Sequence, residues 1–305
     1  MNGFLGTLFA HGLLASATVQ TALIVGCFVA FITGVVGVFT VIRGQSFAGH
    51  ALADLGAVGG SGAFLIGISQ LWGFVGAGII AAVLMELVGV KRLQGRDVAT
   101  GIVFGSGLGL TALFLYWDTT IANTSNAAIS VLFGSLFVID TSLVPTVVIL
   151  SVVALLLIVA IYRWLLLDAV NQDMATVRGV PVRLTGIVFL IALALAVELS
   201  SLTIGAILST ALLIGPAAIS LRLTKRIGIA VIASGLIGVA ATAVGIVISY
   251  DSYYWFGTHQ NWPVSFCIVA LIFISYVLTG AAIAIRDRIT RESPVPHSVL
   301  SRKAA

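Results

Sequence analysis

Apolar runs of about twenty residues follow one another along almost the whole chain, and no other feature restricts the possible folds as strongly. A helix crosses the hydrocarbon core of a bilayer, about 30 Å thick, with that many predominantly apolar residues. Sixty per cent of the 305 residues are apolar and only 9% are charged, a composition that cannot cover the surface of a water-soluble domain. A membrane barrel would instead show alternating segments of about ten residues. The sequence therefore predicts an all-α, polytopic integral membrane protein.

Charged or turn-rich breaks divide these runs into nine predicted membrane-spanning helices. They lie near 18–42, 45–68, 71–90, 98–117, 142–163, 184–202, 204–222, 227–250 and 263–285. The fifteen basic residues fall only in alternate loops and in the C-terminal tail. Because lysine and arginine concentrate in cytoplasmic loops, this alternation predicts an N-terminus outside and a C-terminus in the cytoplasm of a cell (inner or cytoplasmic) membrane.

The segments between the spans are too short to build a core, so residues 1–305 are predicted to form one membrane domain. Residues 1–17 contain no Lys or Arg, unlike the start of a cleavable signal peptide, and are predicted to form an interfacial helix. Residues 126–140 are apolar enough to re-enter the protein from outside, and 286–305 form a cytoplasmic tail. The amphipathic segment 164–183 is predicted to be a short cytoplasmic helix.

The sequence contains no phosphate-binding P-loop pattern and no paired cysteines of a redox or metal motif. The chain is therefore not expected to be an enzyme or to hold a resident cofactor. If the system uses ATP, another chain hydrolyses it.

Small residues are dense in two of the predicted spans. In the fourth span Gly101, Gly105 and Gly109 recur on one face and predict close approach of another helix. The second span contains a tighter group: Gly56, Gly59, Gly60, Ser61 and Gly62. Two explanations of this group remain open, close helix packing and a break of the helix at a transport site.

Ionisable side chains inside the predicted spans carry the chemical signal. A charge at the bilayer centre costs at least about 2.5 kcal/mol, so such residues normally face a partner or a water-filled cavity. His50 and Asp54 are four residues apart in the second span, on one face of a helix. Glu86 lies near the cytoplasmic end of the third span and Glu198 near the outer end of the sixth, where we expect water to reach both carboxylates.

An imidazole and a carboxylate one helical turn apart suit Zn²⁺, Mn²⁺ or Fe²⁺, which accept nitrogen and oxygen ligands. His50, Asp54, Glu198 and Glu86 are therefore the candidate metal-binding residues. Two alternatives remain open for the His50–Asp54 pair, a hydrogen bond that serves only packing and a proton relay.

Four stretches together resemble the manganese/zinc/iron ABC-transporter permeases. The run RGQSFAGHALADLG is similar to that family's RxxSFxGDALSHAxLPG, and ISVLFGSLFVID is similar to its short outer LFG segment. LSTALLIGPAAISL resembles LVxALLxIPAATA, and DAVNQDMATVRGVPVRL stands in the place of DxxxARxxGxxVRxL. The likeness covers about residues 25–285 in the same order. In one respect the chain differs: His50 stands where the family has Asp, and Asp54 where it has His.

The resemblance implies that this chain is the permease subunit of an ATP-binding-cassette importer for a divalent metal, with His50 and Asp54 on the metal's path. It also implies a permease homodimer, a cytoplasmic ATP-binding subunit and an extracytoplasmic metal-binding protein as partners. The ATPase would contact residues 164–183, at Asp168, Asp173, Arg178 and Gly179.

Two other classes of function remain open from the sequence. A proton-coupled secondary metal transporter would also use a His–Asp pair inside the membrane, and a structural or receptor-type subunit would transport nothing. The donor types do not choose among zinc, manganese and iron, and the exchanged pair leaves the coordination geometry undetermined.

Overall fold

The computed structural model describes residues 16–87, 93–121, 126–134, 136–254 and 261–292, and these residues form helices and connecting turns without any strand. The helices are α1 Ala17–Ile42, α2 Ser46–Leu65, α3 Gln70–Leu87, α4 Leu93–Thr120, α5 Ala127–Phe133, α6 Val144–Val170, α7 Gln172–Val177, α8 Val182–Ile204, α9 Ala206–Leu223, α10 Ile227–Asp251 and α11 Val264–Glu292. The predicted all-α class is confirmed for these ranges. The predicted interfacial helix and most of the C-terminal tail lie outside them.

Each predicted span coincides with one long helix of the described chain. Six of these helices, α1, α6, α8, α9, α10 and α11, are long and apolar enough to cross a membrane. The crossing of α2, α3 and α4 stays a prediction, as does the orientation of the termini. The largest differences are at two helix ends. Helix α6 continues to Val170, seven residues beyond its predicted end, because the apolar run LLL extends the helix before Asp168. Helix α11 continues to Glu292, seven residues beyond its predicted end at 285.

Two helices occupy the centre of the molecule. In α1 and α8, 72% and 83% of the most apolar 18-residue stretch is buried inside the protein, whereas for α11 the value is 11%. A helix that is apolar on all sides belongs in a core, and α1 and α8 have that character. Helix α1 packs on α10, α6 and α9, while α8 packs on α3, α6 and α2. Helix α8 therefore connects the helix pair α2–α3 to the remainder of the bundle.

The glycine-rich part of α2 is continuous helix, so of the two explanations left open by the sequence the structure supports close packing and not a helix break. A Cβ on Gly59 would lie 2.1 Å from the carbonyl oxygen of Gly73 in α3, and one on Gly60 would lie 2.6 Å from the ring of Phe74. Small residues allow backbones to approach this closely. In contrast, a Cβ on Gly105 or Gly109 of α4 would meet no described atom within 4 Å, so no described helix of the chain uses that face.

The segment 126–140, predicted to lie on the outer side, is covered by neighbouring protein where it is described. Helix α5 ends at Phe133 and is followed by Gly134, whose φ is 83° and where a Cβ would lie 2.3 Å from the carbonyl oxygen of Thr203. The Ser130 hydroxyl donates to Gln70 Oε1 at 3.0 Å, and the Ser265 hydroxyl donates to the Phe133 carbonyl. Covered backbone is the condition for a re-entrant segment; its depth in a membrane stays a prediction.

Candidate functional site

Helix α2 presents His50 and Asp54 one turn apart. The His50 ring is held from two other helices, since its Nδ1 lies 2.9 Å from the hydroxyl of Thr210 in α9 and its centroid lies 5.1 Å from the Phe104 ring in α4. A neutral imidazole that is hydrogen-bonded through Nδ1 keeps Nε2 available for another partner. Neither Thr210 nor Phe104 was found from the sequence, because each is far from His50 along the chain.

Asp54 is buried, with 4% of its surface exposed. Its Oδ2 has no hydrogen-bond partner among the described residues, and the carboxylate interacts electrostatically with His50. A buried carboxylate without a full set of hydrogen bonds costs free energy that packing does not recover. Asp54 therefore has unused capacity to accept a cation.

Glu198 is completely buried, so the expectation that water reaches it is wrong. Its carboxylate fills a slot between two glycines: a Cβ on Gly56 of α2 would lie 1.6 Å from Oε2, and one on Gly78 of α3 would lie 2.4 Å from Cγ. Neither Oε atom has a hydrogen-bond partner among the described residues. The carboxylate interacts electrostatically with Asp54. Glu198 thus faces the middle of α2 and α3 rather than an outer surface.

Glu86 lies in a different place from the other three candidates. It is half-buried, and a Cβ on Gly186 of α8 would be 3.2 Å from its carboxylate oxygens. Gly78, which contacts Glu198, is eight residues earlier in α3, or roughly 12 Å along the helix axis. Within the part of the chain that the structure describes, no three His, Cys, Asp or Glu side chains lie close enough together to hold a metal ion. The structure therefore separates the four predicted residues into a His50–Asp54–Glu198 region and a distant Glu86.

The four predicted ATPase-contact residues fall into two groups, one residue with a buried side chain and three exposed residues. Asp168 forms an ion pair with Arg43, with Oδ2 2.8 Å from Nη1, and only 4% of its side chain is exposed. Asp173, Arg178 and Gly179 are exposed on or just after α7. Asn171 Oδ1 accepts a hydrogen bond from the Met174 amide at 3.0 Å and so caps this short helix.

An open cleft of about 710 Å³ lies between α7 and the start of α8. It is lined by Asp173, Thr176, Val180, Pro181, Val182, Arg183, Leu184 and Ile187. Gly179, at φ 77°, turns the chain between the two helices in a conformation that glycine adopts without strain. The cleft combines exposed charges with an apolar floor, which is the character of a protein-docking surface.

The chain matches the ABC 3 transport family over residues 15–280. The manganese transport system membrane protein MntC of Listeria monocytogenes is 27% identical over 243 residues, which cover 80% of this chain and 85% of that protein. The manganese import system permease protein ScaB of Streptococcus parasanguinis is 26% identical over 273 residues, 90% of this chain and 93% of that protein.

Two solved structures share the fold. PsaBC from Streptococcus pneumoniae in complex with Fab gives a TM-score of 0.75 at 24% identity, over 88% of this chain and 92% of that one. An inward-facing putative metal-chelate type ABC transporter gives 0.71 at 15% identity, over 90% and 87%. The family match spans the helices that carry His50, Asp54 and Glu198 as well as the α7 cleft. This multi-pass membrane protein therefore belongs to the ABC 3 transport family.

Proposed function

We propose that this chain is the membrane permease of an ATP-binding-cassette importer for a divalent transition metal, with manganese the first candidate. Family membership supports transport, and relatives from Listeria and Streptococcus are named as manganese transport proteins. Zinc and ferrous iron accept the same nitrogen and oxygen donors and are the competing substrates.

In this proposal nine helices cross the inner (cytoplasmic) membrane, with the N-terminus outside and the C-terminus in the cytoplasm. The alternation of basic loops supports the orientation. Helices α2, α3 and α4 cross with the six others, although α2 and α4 carry more glycine and polar residues and the apolar stretch of α3, Gln70–Glu86, is shorter. Two copies of the chain form the transport unit, and the metal is cargo rather than a resident cofactor.

The observation that carries the proposal is the pair of buried carboxylates, Asp54 and Glu198, which interact with each other and have unpaired oxygens. Two such carboxylates repel each other and are costly to bury unless a cation accompanies them. A divalent ion that enters beside His50 and Asp54 supplies that charge. Glu198, next to Asp54, would then stabilise the ion as alternating access moves it inward.

The ATPase would dock at the cleft between α7 and α8, through Asp173, Arg178 and Gly179. Their exposure and the open cleft beside them support this contact. Asp168 is not part of this surface in the proposal, since its carboxylate is paired with Arg43. ATP hydrolysis belongs to that separate subunit, and an extracytoplasmic metal-binding protein delivers the ion at the opposite face.

Reconstitution tests the proposal directly. The chain would be co-expressed with its ATPase and metal-binding partners, placed in liposomes, and assayed for uptake of labelled Mn²⁺ against unlabelled Zn²⁺ and Fe²⁺. We expect ATP-dependent uptake that Asp54→Asn and Glu198→Gln abolish and that Thr242→Val, a polar control buried in α10, retains. Uptake that persists without ATP and collapses with the proton gradient would instead indicate the secondary transporter. Absence of uptake for all three metals would refute both.

A further inference from the structure

Arg43 is unusual among the basic residues of this chain. It follows the last residue of α1 and is separated from α2 by Gly44 and Gln45. Among the lysines and arginines whose exposure the structure describes, the others are exposed, whereas the side chain of Arg43 is only 10% exposed. A buried guanidinium needs partners of opposite charge.

The partners of Arg43 come from three different helices. Its Nη1 lies 2.8 Å from Oδ2 of Asp168, near the end of α6, and its Cζ lies 4.8 Å from the ring centroid of Phe189 in α8. Glu86, near the end of α3, adds an electrostatic interaction. We call Arg43, Asp168, Glu86 and Phe189 the Arg43 cluster. It joins the ends of α1, α3 and α6 to the first turns of α8.

We propose that the Arg43 cluster transmits ATPase-driven movement from the α7–α8 cleft to the helices that carry the metal path. Arg43 and Asp168 act in it as positioning residues, because neither touches the metal. This inference rests on the proposed function and goes beyond it, since it names the connection between the two sites.

Chain connectivity places the cluster between the two sites. Asp168 precedes the cap of α7 by three residues, and Arg43 precedes the first residue of α2 by three. A displacement of α7 therefore acts on Asp168 through a short stretch of backbone, and a displacement of Arg43 acts in the same way on α2, with His50 and Asp54. Rigid helices joined by short connectors transmit such movements.

Helix α8 provides a second connection. Ile187 lines the cleft, while the neighbouring Gly186 meets Glu86 and Phe189 meets Arg43. The cleft and the cluster therefore lie against the same two turns of α8. The same helix reaches Glu198 nine residues after Phe189, or roughly 13.5 Å further along.

Energetics also argue that the ion pair has a role other than stability. Burying two charges costs about as much as their attraction returns, and apolar replacements of such pairs are often neutral. In contrast, removing one partner leaves an uncompensated buried charge, so the pair responds strongly to any movement that separates it. In the proposal this pair is the two-state element that movement of the ATPase biases.

The experiment compares the double variant Arg43→Gln/Asp168→Asn with the wild type and with Arg163→Gln. The double variant removes both charges of the buried ion pair and leaves only the half-buried Glu86 without its cationic neighbour, so it is expected to fold where the single variants fail. Arg163 is an exposed arginine on the same helix as Asp168 and is the matched control. Each permease is purified with its ATPase, reconstituted, and assayed for Mn²⁺ uptake per ATP hydrolysed and for co-purification of the ATPase.

We expect the double variant to assemble and to hydrolyse ATP within about twofold of wild type, with uptake per ATP lowered about tenfold. Arg163→Gln should behave as wild type. Wild-type uptake per ATP in the double variant would overturn the proposal. So would a loss of thermal stability alone, because a merely structural pair would not change the ratio of uptake to hydrolysis.

A second readout keeps the inference separate from the choice of substrate. Hydrogen exchange of residues 46–65 is followed when nucleotide is added to the permease–ATPase complex. We expect a nucleotide-dependent change in wild type that the double variant loses. If wild type imports no metal but shows this change, the proposed substrate is wrong and the coupling inference stands. If the double variant shows the full change, the coupling inference is refuted.

Discussion

The glycine slot around Glu198 makes Gly56→Ala the sharpest test of the site's geometry. An added Cβ would lie 1.6 Å from Oε2, 2.2 Å from Cδ and 2.5 Å from Oε1 of Glu198. Ordinary van der Waals contact begins at 3.4 Å, so the carboxylate or α2 must move by about 1.8 Å. Gly78 closes the opposite side, where a Cβ would be 2.4 Å from Glu198 Cγ, so the side chain cannot retreat in that direction.

Two opposing effects determine the magnitude. Overpacking a filled interior costs about 1–3 kcal/mol. Replacing glycine by alanine in a helix returns up to about 1 kcal/mol through backbone entropy. Since the clash involves all three atoms of the carboxylate group, we expect the upper part of the overpacking range and a net destabilisation of about 2 kcal/mol. Gly76→Ala is the matched control, because a Cβ there meets nothing within 4 Å.

The assay measures the thermal unfolding midpoint in detergent together with ATP-dependent Mn²⁺ uptake. Gly56→Ala should lower both, while Gly76→Ala should leave both near wild type. The double variant Gly56→Ala/Glu198→Ala removes the group that clashes, so its midpoint should recover above that of Gly56→Ala while uptake stays absent. Such non-additivity is expected of residues in direct contact.

This combination separates packing from function. If Gly56→Ala matched Gly76→Ala in stability and uptake, the slot would not hold the Glu198 carboxylate. If the double variant recovered uptake as well as stability, Glu198 would be a packing residue and not part of the path.

Three further predictions concern other parts of the molecule. Thr210→Val should raise the KM for Mn²⁺ uptake about tenfold because the hydrogen bond to the His50 ring is lost, and Thr210→Ser should restore the wild-type KM. An unchanged KM in uptake kinetics would refute the role of Thr210. Arg178→Glu should reduce co-purification of the ATPase because it reverses the charge at the proposed docking surface, whereas Lys225→Glu in another loop should not. Equal co-purification of the ATPase with both variants would refute the contact at Arg178. Asp54→Glu should keep ATP hydrolysis but shift the preference among Mn²⁺, Zn²⁺ and Fe²⁺ in competition assays, because an extra methylene moves the ligand oxygens. An unchanged order of preference among the three metals would show that Asp54 does not determine selectivity.

The positions of the long helices could be predicted from the sequence because they depend only on local composition and on the length needed to cross a membrane. The end of α6 could not, since LLL continues the apolar run past Arg163 and nothing in the local sequence stops a helix before Asn171. The charge at Arg163 suggested a boundary, but a long arginine side chain on an exposed helix face can reach polar surroundings while the helix continues.

The candidate site was predictable where its parts are close in sequence. Four-residue spacing alone places His50 and Asp54 on one face of α2. The Glu198 slot was not predictable, because it depends on the register of α8 against α2 and α3, which hydrophobic patterning leaves open when helices are apolar on all sides. Gly56 and Gly78 were the available signal, but a glycine that admits a carboxylate looks the same in the sequence as one that admits another helix.

The same limit explains why Asp168 and Glu86 were assigned to other roles. Each was predicted from its own segment, one as a surface contact and one as a metal ligand, and their common interaction with Arg43 depends on how α1, α3 and α6 end beside one another. Ion pairs between residues 125 positions apart, as Arg43 and Asp168 are, have no local sequence signature.

The distribution of these carboxylates indicates where a transported ion would bind. Among the described residues, Asp54 and Glu198 have no lysine or arginine partner, whereas Asp168 and Glu86 interact with the guanidinium of Arg43. A divalent cation therefore gains most beside the first pair, because Arg43 already neutralises part of the carboxylate charge at the second. Under the proposed function, the first pair binds the ion, and the Arg43 cluster links that pair to the ATPase without binding the ion itself.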